Sequence, residues 1–416
     1  MGSLRNLLDA MRNGRLLAVL FGHMTVDSYV GVLPILYPVL IGRFHVNLAT
    51  VGLLSLFYTG VASLSQPFFG AVADRIGTRL IGGAMLWSAA WFAVLGFTPT
   101  FFTFVLAAGI AGLGSGFFHP LGAVTVRHAL PARGRNVAMA LYTSGGTVGV
   151  ALGPLIGATV LALLGIHGTI LLLLPGVACS AFLFVWMRGA GRSAPRRARP
   201  ATPAPAAASG VHRALPLIPL VATVLMMMSR SWTTVTLEAF IPTWYHSLGY
   251  QSWFYAPLAT TVVLASAVGA VGCGSLADRF GRRAVIIGSL ILTMPAVLLF
   301  ALFPGPQGFV TGALVGLTAA STAPLMLMMA QELLLDRAGL ASGLVLGVGF
   351  FAGAIGVPIT GMVADAIGLR NAMLFQLVIV VLSLPLALLL PTEGYLRRWR
   401  KSAATTSTEP AIRRPA

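Results

Sequence analysis

The sequence predicts an all-α membrane protein of twelve transmembrane helices in two pseudo-symmetric six-helix bundles, and three observations carry that prediction. Apolar residues make up 57% of the 416-residue chain and charged residues only 9%, against about 25% charged in a soluble domain. Twelve apolar runs approach or exceed the roughly 20 residues that cross a bilayer. The chain also repeats itself at an offset of 204 residues. The lipid bilayer is therefore its first expected partner.

The runs are Leu16–Ile41, Thr50–Val72, Leu80–Phe97, Phe101–Arg127, Val137–Leu164 and Gly168–Met187 in one half. The other half has Leu215–Tyr245, Trp253–Ala277, Ala284–Phe303, Gly308–Leu335, Leu340–Ala364 and Asn371–Leu390. The implied organisation is an N-terminal segment over 1–15, a six-helix bundle over 16–188, a linker over 189–213, a second bundle over 214–391 and a tail over 392–416. Pro, Ala and Arg dominate the linker, a composition that buries too little apolar surface to fold. The tail reads as a polar, Arg-bearing segment without an apolar period.

The net charge of +17 suggests a nucleic-acid binder until positions are considered. Every Lys and Arg except Arg43, Arg370 and the intramembrane Arg230 falls on one side of the alternating spans. Cytoplasmic loops attract Lys and Arg, so both termini and the linker are expected inside a plasma or inner membrane, and no nucleic-acid partner is expected. The first span contains Asp27 and has no small-residue cleavage site after it, which marks a retained helix rather than a signal peptide. Cys179 and Cys273 both lie in apolar runs and read as packing residues. No nucleotide loop, H-E-x-x-H motif or extramembrane domain is present, so neither an enzyme nor a cofactor or metal is expected.

The repeat is clearest where Gly70–Arg79 recurs as Gly274–Arg283. The same offset maps Pro38 onto Pro242, Gly112 onto Gly316, Pro120 onto Pro324, Gly149 onto Gly353, Pro154 onto Pro358 and Gly157 onto Gly361. Six spans separate the copies, so the halves share one topology and are related by an axis along the membrane normal.

The duplicated G-x3-D-R-x-G-x-[RK] loop resembles the signature of the major facilitator superfamily. The run Gly149–Gly157, with Gly153 and Pro154 inside it, is similar to the G-x3-G-P-x2-G motif of that superfamily's drug/proton antiporters. Gly22–Asp27 with Leu36–Pro38, Gly114–Pro120, Ala330–Leu334 and Ser342–Leu344 resemble the fosmidomycin-resistance efflux family. The resemblance implies a monomeric, proton-coupled antiporter that exports a small drug or organic compound, phosphonate-like anions included, by alternating access. A proton-coupled importer of an organic anion or metabolite stands as the alternative. In one respect the chain departs from the pattern: Ala108 stands where many such antiporters carry an arginine in the fourth span, so any proton relay must be built from other groups.

A carboxylate at a helix end can face the positive N-terminus of another helix or a nearby arginine. By superfamily analogy Asp74 would meet the eleventh helix near Arg337, and Asp278 the fifth near Arg135. Arg75, Arg79, Arg279 and Arg283 would complete the gate. Gln331 and Glu332 lie opposite Arg127 and His128 by the repeat offset, near the cytoplasmic ends of the tenth and fourth helices, where inner-gate pairing is expected. Small residues four apart, as at Gly149, Gly153 and Gly157, allow close helix packing, and Pro154 permits a bend.

Ionisable groups at membrane depth are functional candidates because each is costly there unless paired. Asp27 lies about 16 Å along its helix, near the midplane, and His23 is four residues earlier on the same face. The repeat offset puts Arg230 at the same depth in the other half, so an Asp27–Arg230 contact is expected. His23, Asp27 and Glu238 are the candidates for proton coupling. Arg230, His119, Asp27, Tyr58 and Trp232 are the candidates for substrate binding.

Overall fold

The computed structural model describes residues 12–129, 135–187, 216–334, 341 and 343–408. Its first half contains α1 (Gly14–Phe44), α2 (Leu48–Ile76), α3 (Ile81–Val94), α4 (Phe101–Ala129), α5 (Arg135–Leu164) and α6 (Leu173–Met187). The second contains α7 (Leu217–Ser247), α8 (Ser252–Phe280), α9 (Arg282–Leu302), α10 (Gly308–Ala319 continued by Ala323–Leu333), α11 (Gly349–Ile367) and α12 (Leu369–Leu389). Among the described residues ten segments are long and apolar enough to cross a membrane. One of them, Leu141–Met187, spans 47 residues and holds both α5 and α6, while Ile81–Phe97 is a shorter apolar helix. Phe68, Phe102, Trp253 and Val271 are each at least 66% exposed, as a lipid-facing surface requires.

Local chemistry sets the helix ends. Asn13 and Asn47 cap α1 and α2, their side chains accepting from Leu16 N at 3.0 Å and Thr50 N at 2.8 Å. Gly77 and Gly281 close α2 and α8 with positive φ of 72° and 83°, a conformation that other residues adopt only with strain. The duplicated loop is thus a duplicated turn.

Packing repeats with the sequence. Within the halves, α1 pairs with α5 as α7 does with α11, and α2 pairs with α4 as α8 does with α10. Between the halves, α2 meets α11 and α5 meets α8; these are one contact seen twice under exchange of the halves.

The end of the bundle carrying the α2–α3 and α8–α9 turns is called basal here, and the opposite end distal. Distally the halves are joined. Asp365 near the end of α11 accepts from the backbone N–H groups of Leu48 and Ala49, both at 2.9 Å. It thereby neutralises the positive start of α2 from the other half. Thr260 donates to the Ala151 carbonyl at 2.6 Å, and a Cβ at Gly52 would lie 2.9 Å from Pro358. Asp365→Ala is expected to loosen this seam. Spin labels at the exposed Phe97 and Phe303, near the distal ends of the two halves, would then show a new longer-distance population; an unchanged distance distribution refutes the latch.

The tail differs from its sequence reading. Residues Glu393–Thr408 form a further helix, α13, docked on the basal end of the second half. Leu396 is fully buried, and Trp399 donates its indole N–H to the Leu333 carbonyl at 3.2 Å. Arg282 joins Glu393 at 2.8 Å and Glu332 at 3.0 Å. Tyr395, Leu396 and Trp399 supply an apolar stripe at three- and four-residue spacing, too short to stand out among arginines.

The hydrogen bond from Arg282 holds the Glu393 carboxyl below its ordinary value of 4.5. A depressed carboxylate contributes to docking above its free value, and that contribution is lost as pH falls through the docked value. Helix α13 is therefore expected to loosen below pH 4.5, read as the fluorescence difference between wild type and Trp399→Phe. A difference that stays flat down to pH 3 contradicts it.

Candidate functional site

Helix α1 presents His23, Asp27, Gly31 and Pro34 along one stripe, each three or four residues from the next. At its centre Asp27 is held by two imidazoles. Its Oδ2 lies 3.1 Å from His23 Nε2, and its Oδ1 lies 3.2 Å from His119 Nε2 on α4. One nitrogen of each ring and a carboxylate oxygen fall within 4.8 Å of one another. Gly146 on α5 makes the room, since a Cβ there would lie 2.5 Å from Asp27 Oδ2 and 2.7 Å from His23. His23 is 7% exposed and stacks on Tyr142, with ring centroids 4.0 Å apart.

The second nitrogen of each ring decides the chemistry. His23 Nδ1 lies 2.7 Å from the Tyr142 carbonyl, and His119 Nδ1 lies 2.8 Å from the Ser115 carbonyl. A carbonyl only accepts, so both Nδ1 atoms donate, and a neutral imidazole then has a bare lone pair at Nε2. A carboxylate also only accepts. Each Nε2–carboxylate contact therefore needs a proton, carried either on the ring or on Asp27. The cluster holds two labile protons in this geometry, and losing either sets two acceptors against each other.

Arg230 is not brought to Asp27, contrary to the expected contact. Its guanidinium, 5% exposed, turns into its own half, donating to Ser289 at 3.0 Å and to the Thr318 carbonyl. Helix α10 breaks at Ala320–Thr322, which leaves carbonyls of the preceding turn without intrahelical partners; Arg230 takes one of them. Arg230→Met is expected to lower the apparent melting temperature by several degrees in detergent. An unchanged melt would remove this structural role.

Glu238 lies on the wall of a cavity of about 80 Å³ between the halves. The cavity is lined from α1 by Pro34, from α2 by Tyr58, from α5 by Val150, from α7 by Glu238 and from α8 by Val262. Trp232 is not among its lining residues; its ring packs against Gly356 on α11, where a Cβ would approach to 2.6 Å. Gly149 and Gly153 sit where α5 crosses α1, and Gly157 faces Ile35.

Of the gate residues, Asp278 and Arg279 are exposed and Arg283 is partly buried; no ion pair joins them among the described residues. Arg75 and Arg79 are exposed. The side chains of Asp74 and Arg135, the Arg337 position and the 189–213 linker lie outside the described residues. Glu332 does form basal ion pairs, but with Arg282 and with Arg400 at 3.6 Å, both within its own half; Gln331 lies beside it on α10. Sequence reading passed over Arg282, Glu393 and Asp365. Arg282 had a signal, since it sits inside the duplicated motif next to Gly281.

The family model of the Major Facilitator Superfamily matches residues 17–272 and 220–415, two overlapping matches that together cover both halves. A Bacillus subtilis relative described as an uncharacterised MFS-type transporter, YfnC, is 30% identical over 385 residues, covering 91% of this chain and 92% of its own. The fosmidomycin resistance protein of Escherichia coli is 26% identical, with 85% and 86% covered. The multidrug efflux pump Tap of Mycolicibacterium fortuitum is 26% identical, with 94% and 97% covered. In fold, the chain is similar to a bacterial homologue of the human lysosomal transporter Spinster. The inward-facing, unoccupied form of that protein aligns with a TM-score of 0.73 at 17% identity, over 94% of this chain and 98% of that one. The family match over both halves agrees with the duplicated turn and the exchanged helix contacts: the chain belongs to the major facilitator superfamily of transporters and is not an enzyme.

Proposed function

We propose that the chain is a proton-coupled antiporter that exports a small organic compound by alternating access. It would reside in an inner or plasma membrane with both termini cytoplasmic, as the one-sided distribution of Lys and Arg supports. The observation that carries the coupling is the Asp27 carboxylate between two Nε2 atoms, an arrangement whose contacts depend on labile protons. Protonation changes how α1, α4 and α5 hold together, and α5 also packs against α8 of the other half. A proton gained or lost at Asp27 thus bears on helices that must move when the halves rock. Export draws support from two relatives whose names state resistance and efflux. Tyr58 lines the cavity between the halves, and the exposed Asp278 is placed to close a basal gate in the opposite state.

The test is uptake into inside-out vesicles carrying the chain, with an imposed pH gradient and a panel of radiolabelled drugs that includes fosmidomycin. An antiporter accumulates substrate when the lumen is acidic. Accumulation only when the lumen is alkaline would make the chain a symporter and overturn the export reading.

A further inference from the structure

We propose that the cavity between the halves is a site for organic cations, compounds that join an apolar body to one positive charge, with Glu238 as the counter-charge. The proposal rests on the transporter reading and names the substrate class of that cavity.

Charge is the first support. Glu238 is the only ionisable acid or base among the residues lining the cavity besides the phenol of Tyr58. Arg230 contributes nothing there, because its guanidinium is tied to Ser289 and Thr318 inside the second half. An anion entering this space would meet a carboxylate across apolar walls, where like charges are weakly screened.

The second support is that, among the described residues, Glu238 is the one acid at this depth without a protein partner. Asp27 has two imidazoles, Glu332 and Glu393 have Arg282, and Asp365 has two backbone N–H groups. Glu238 has neither a hydrogen bond nor an ion pair to another described residue, although it stands about 13 Å inside the distal end of α7. A carboxylate so placed is costly until something positive joins it.

The lining agrees. Val30, Pro34, Val150 and Val262 offer apolar walls, and Tyr58 adds an aromatic ring of the kind that attracts cations. Gly31 and Pro34 line the cavity and continue the α1 stripe that bears Asp27, so an occupant sits one or two helical turns from the proton cluster.

Two ions of nearly equal shape and opposite charge, tetraphenylphosphonium and tetraphenylborate, test this by equilibrium dialysis with the purified full-length chain, after subtraction of binding to empty micelles. The phosphonium is expected to bind at least about tenfold more tightly than the borate. Glu238→Gln should lower phosphonium affinity at least about tenfold and Glu238→Asp should keep most of it, each variant checked for an unchanged melting temperature. Ala259→Trp, which fills the cavity from α8, should lower phosphonium binding as well. Equal or tighter binding of the borate overturns the proposal, as does wild-type phosphonium affinity in Glu238→Gln. No gradient is applied, so a chain that proves not to be an antiporter would leave this result standing.

Discussion

Replacing Asp27 by asparagine is expected to lower gradient-driven transport on the order of 100-fold, in the range that positioned proton-transfer groups supply, while the protein stays folded. The substitution keeps the shape of the side chain and alters only its hydrogen-bonding rules. An amide nitrogen can donate to one bare Nε2, so one of the contacts at 3.1 and 3.2 Å is satisfied without any labile proton. With that N–H turned to His119, α1 holds α4 without a labile proton, and only the contact to His23 within α1 still takes one. Exchange of labelled for unlabelled substrate, which needs no gradient, should survive in Asp27→Asn while accumulation against a gradient fails. That pair of readings separates uncoupling from misfolding, since a misfolded chain loses both. Gradient-driven accumulation at the wild-type rate in Asp27→Asn would sink the coupling role.

The same cluster shows how far the sequence reaches. His23 and Asp27 share a face because they are four apart on one helix, which any helical reading gives. That His119 completes the cluster depends on the rotation of α4 against α1, which residue spacing does not contain. The Arg230 contact was expected from equal depth in the two halves, yet depth is not azimuth. The repeat fixes height along the membrane normal and leaves open which way a side chain turns. Arg230 turned toward carbonyls freed by the break in α10, and no periodicity announces that break except Pro324 just beyond it. Asp365 is hidden for a related reason: the repeat marks the acids at basal helix ends, beside the duplicated turns, while the seam that Asp365 closes is distal. The twelve helices, by contrast, were legible because lipid leaves a backbone few alternatives to a helix. Their pairing in the two halves follows from the offset of 204 residues.

Gly153→Leu is expected to abolish folded protein, the largest stability effect in the chain. A Cβ at Gly153 would lie 2.4 Å from the Gly31 Cα and 2.5 Å from the Ser28 carbonyl oxygen. From the other side, a Cβ at Gly31 would stand 2.3 Å from the Val150 carbonyl oxygen. All of these obstacles are backbone, and none can swing aside as a side chain would. Pro154 belongs to the same contact, because it lacks the N–H that would normally bond the Val150 carbonyl. That oxygen is turned toward α1 without an intrahelical partner, and the two helices close over it. The glycine-rich run is therefore first a packing device; any part in export acts through the α1–α5 crossing that also shapes the Asp27 cluster. Gly349 offers the contrast. It occupies the repeat position of Gly145, but the atoms nearest a Cβ there belong to the flexible Met227 side chain, the first at 2.5 Å. Gly349→Ala should melt within a few degrees of wild type. Gly83→Ala, which meets nothing within 4 Å, should be indistinguishable from it. Size-exclusion yield and apparent melting temperature in detergent rank the three. A Gly153→Leu protein that elutes and melts like wild type would mean that α1 and α5 do not cross as closely as their glycines require.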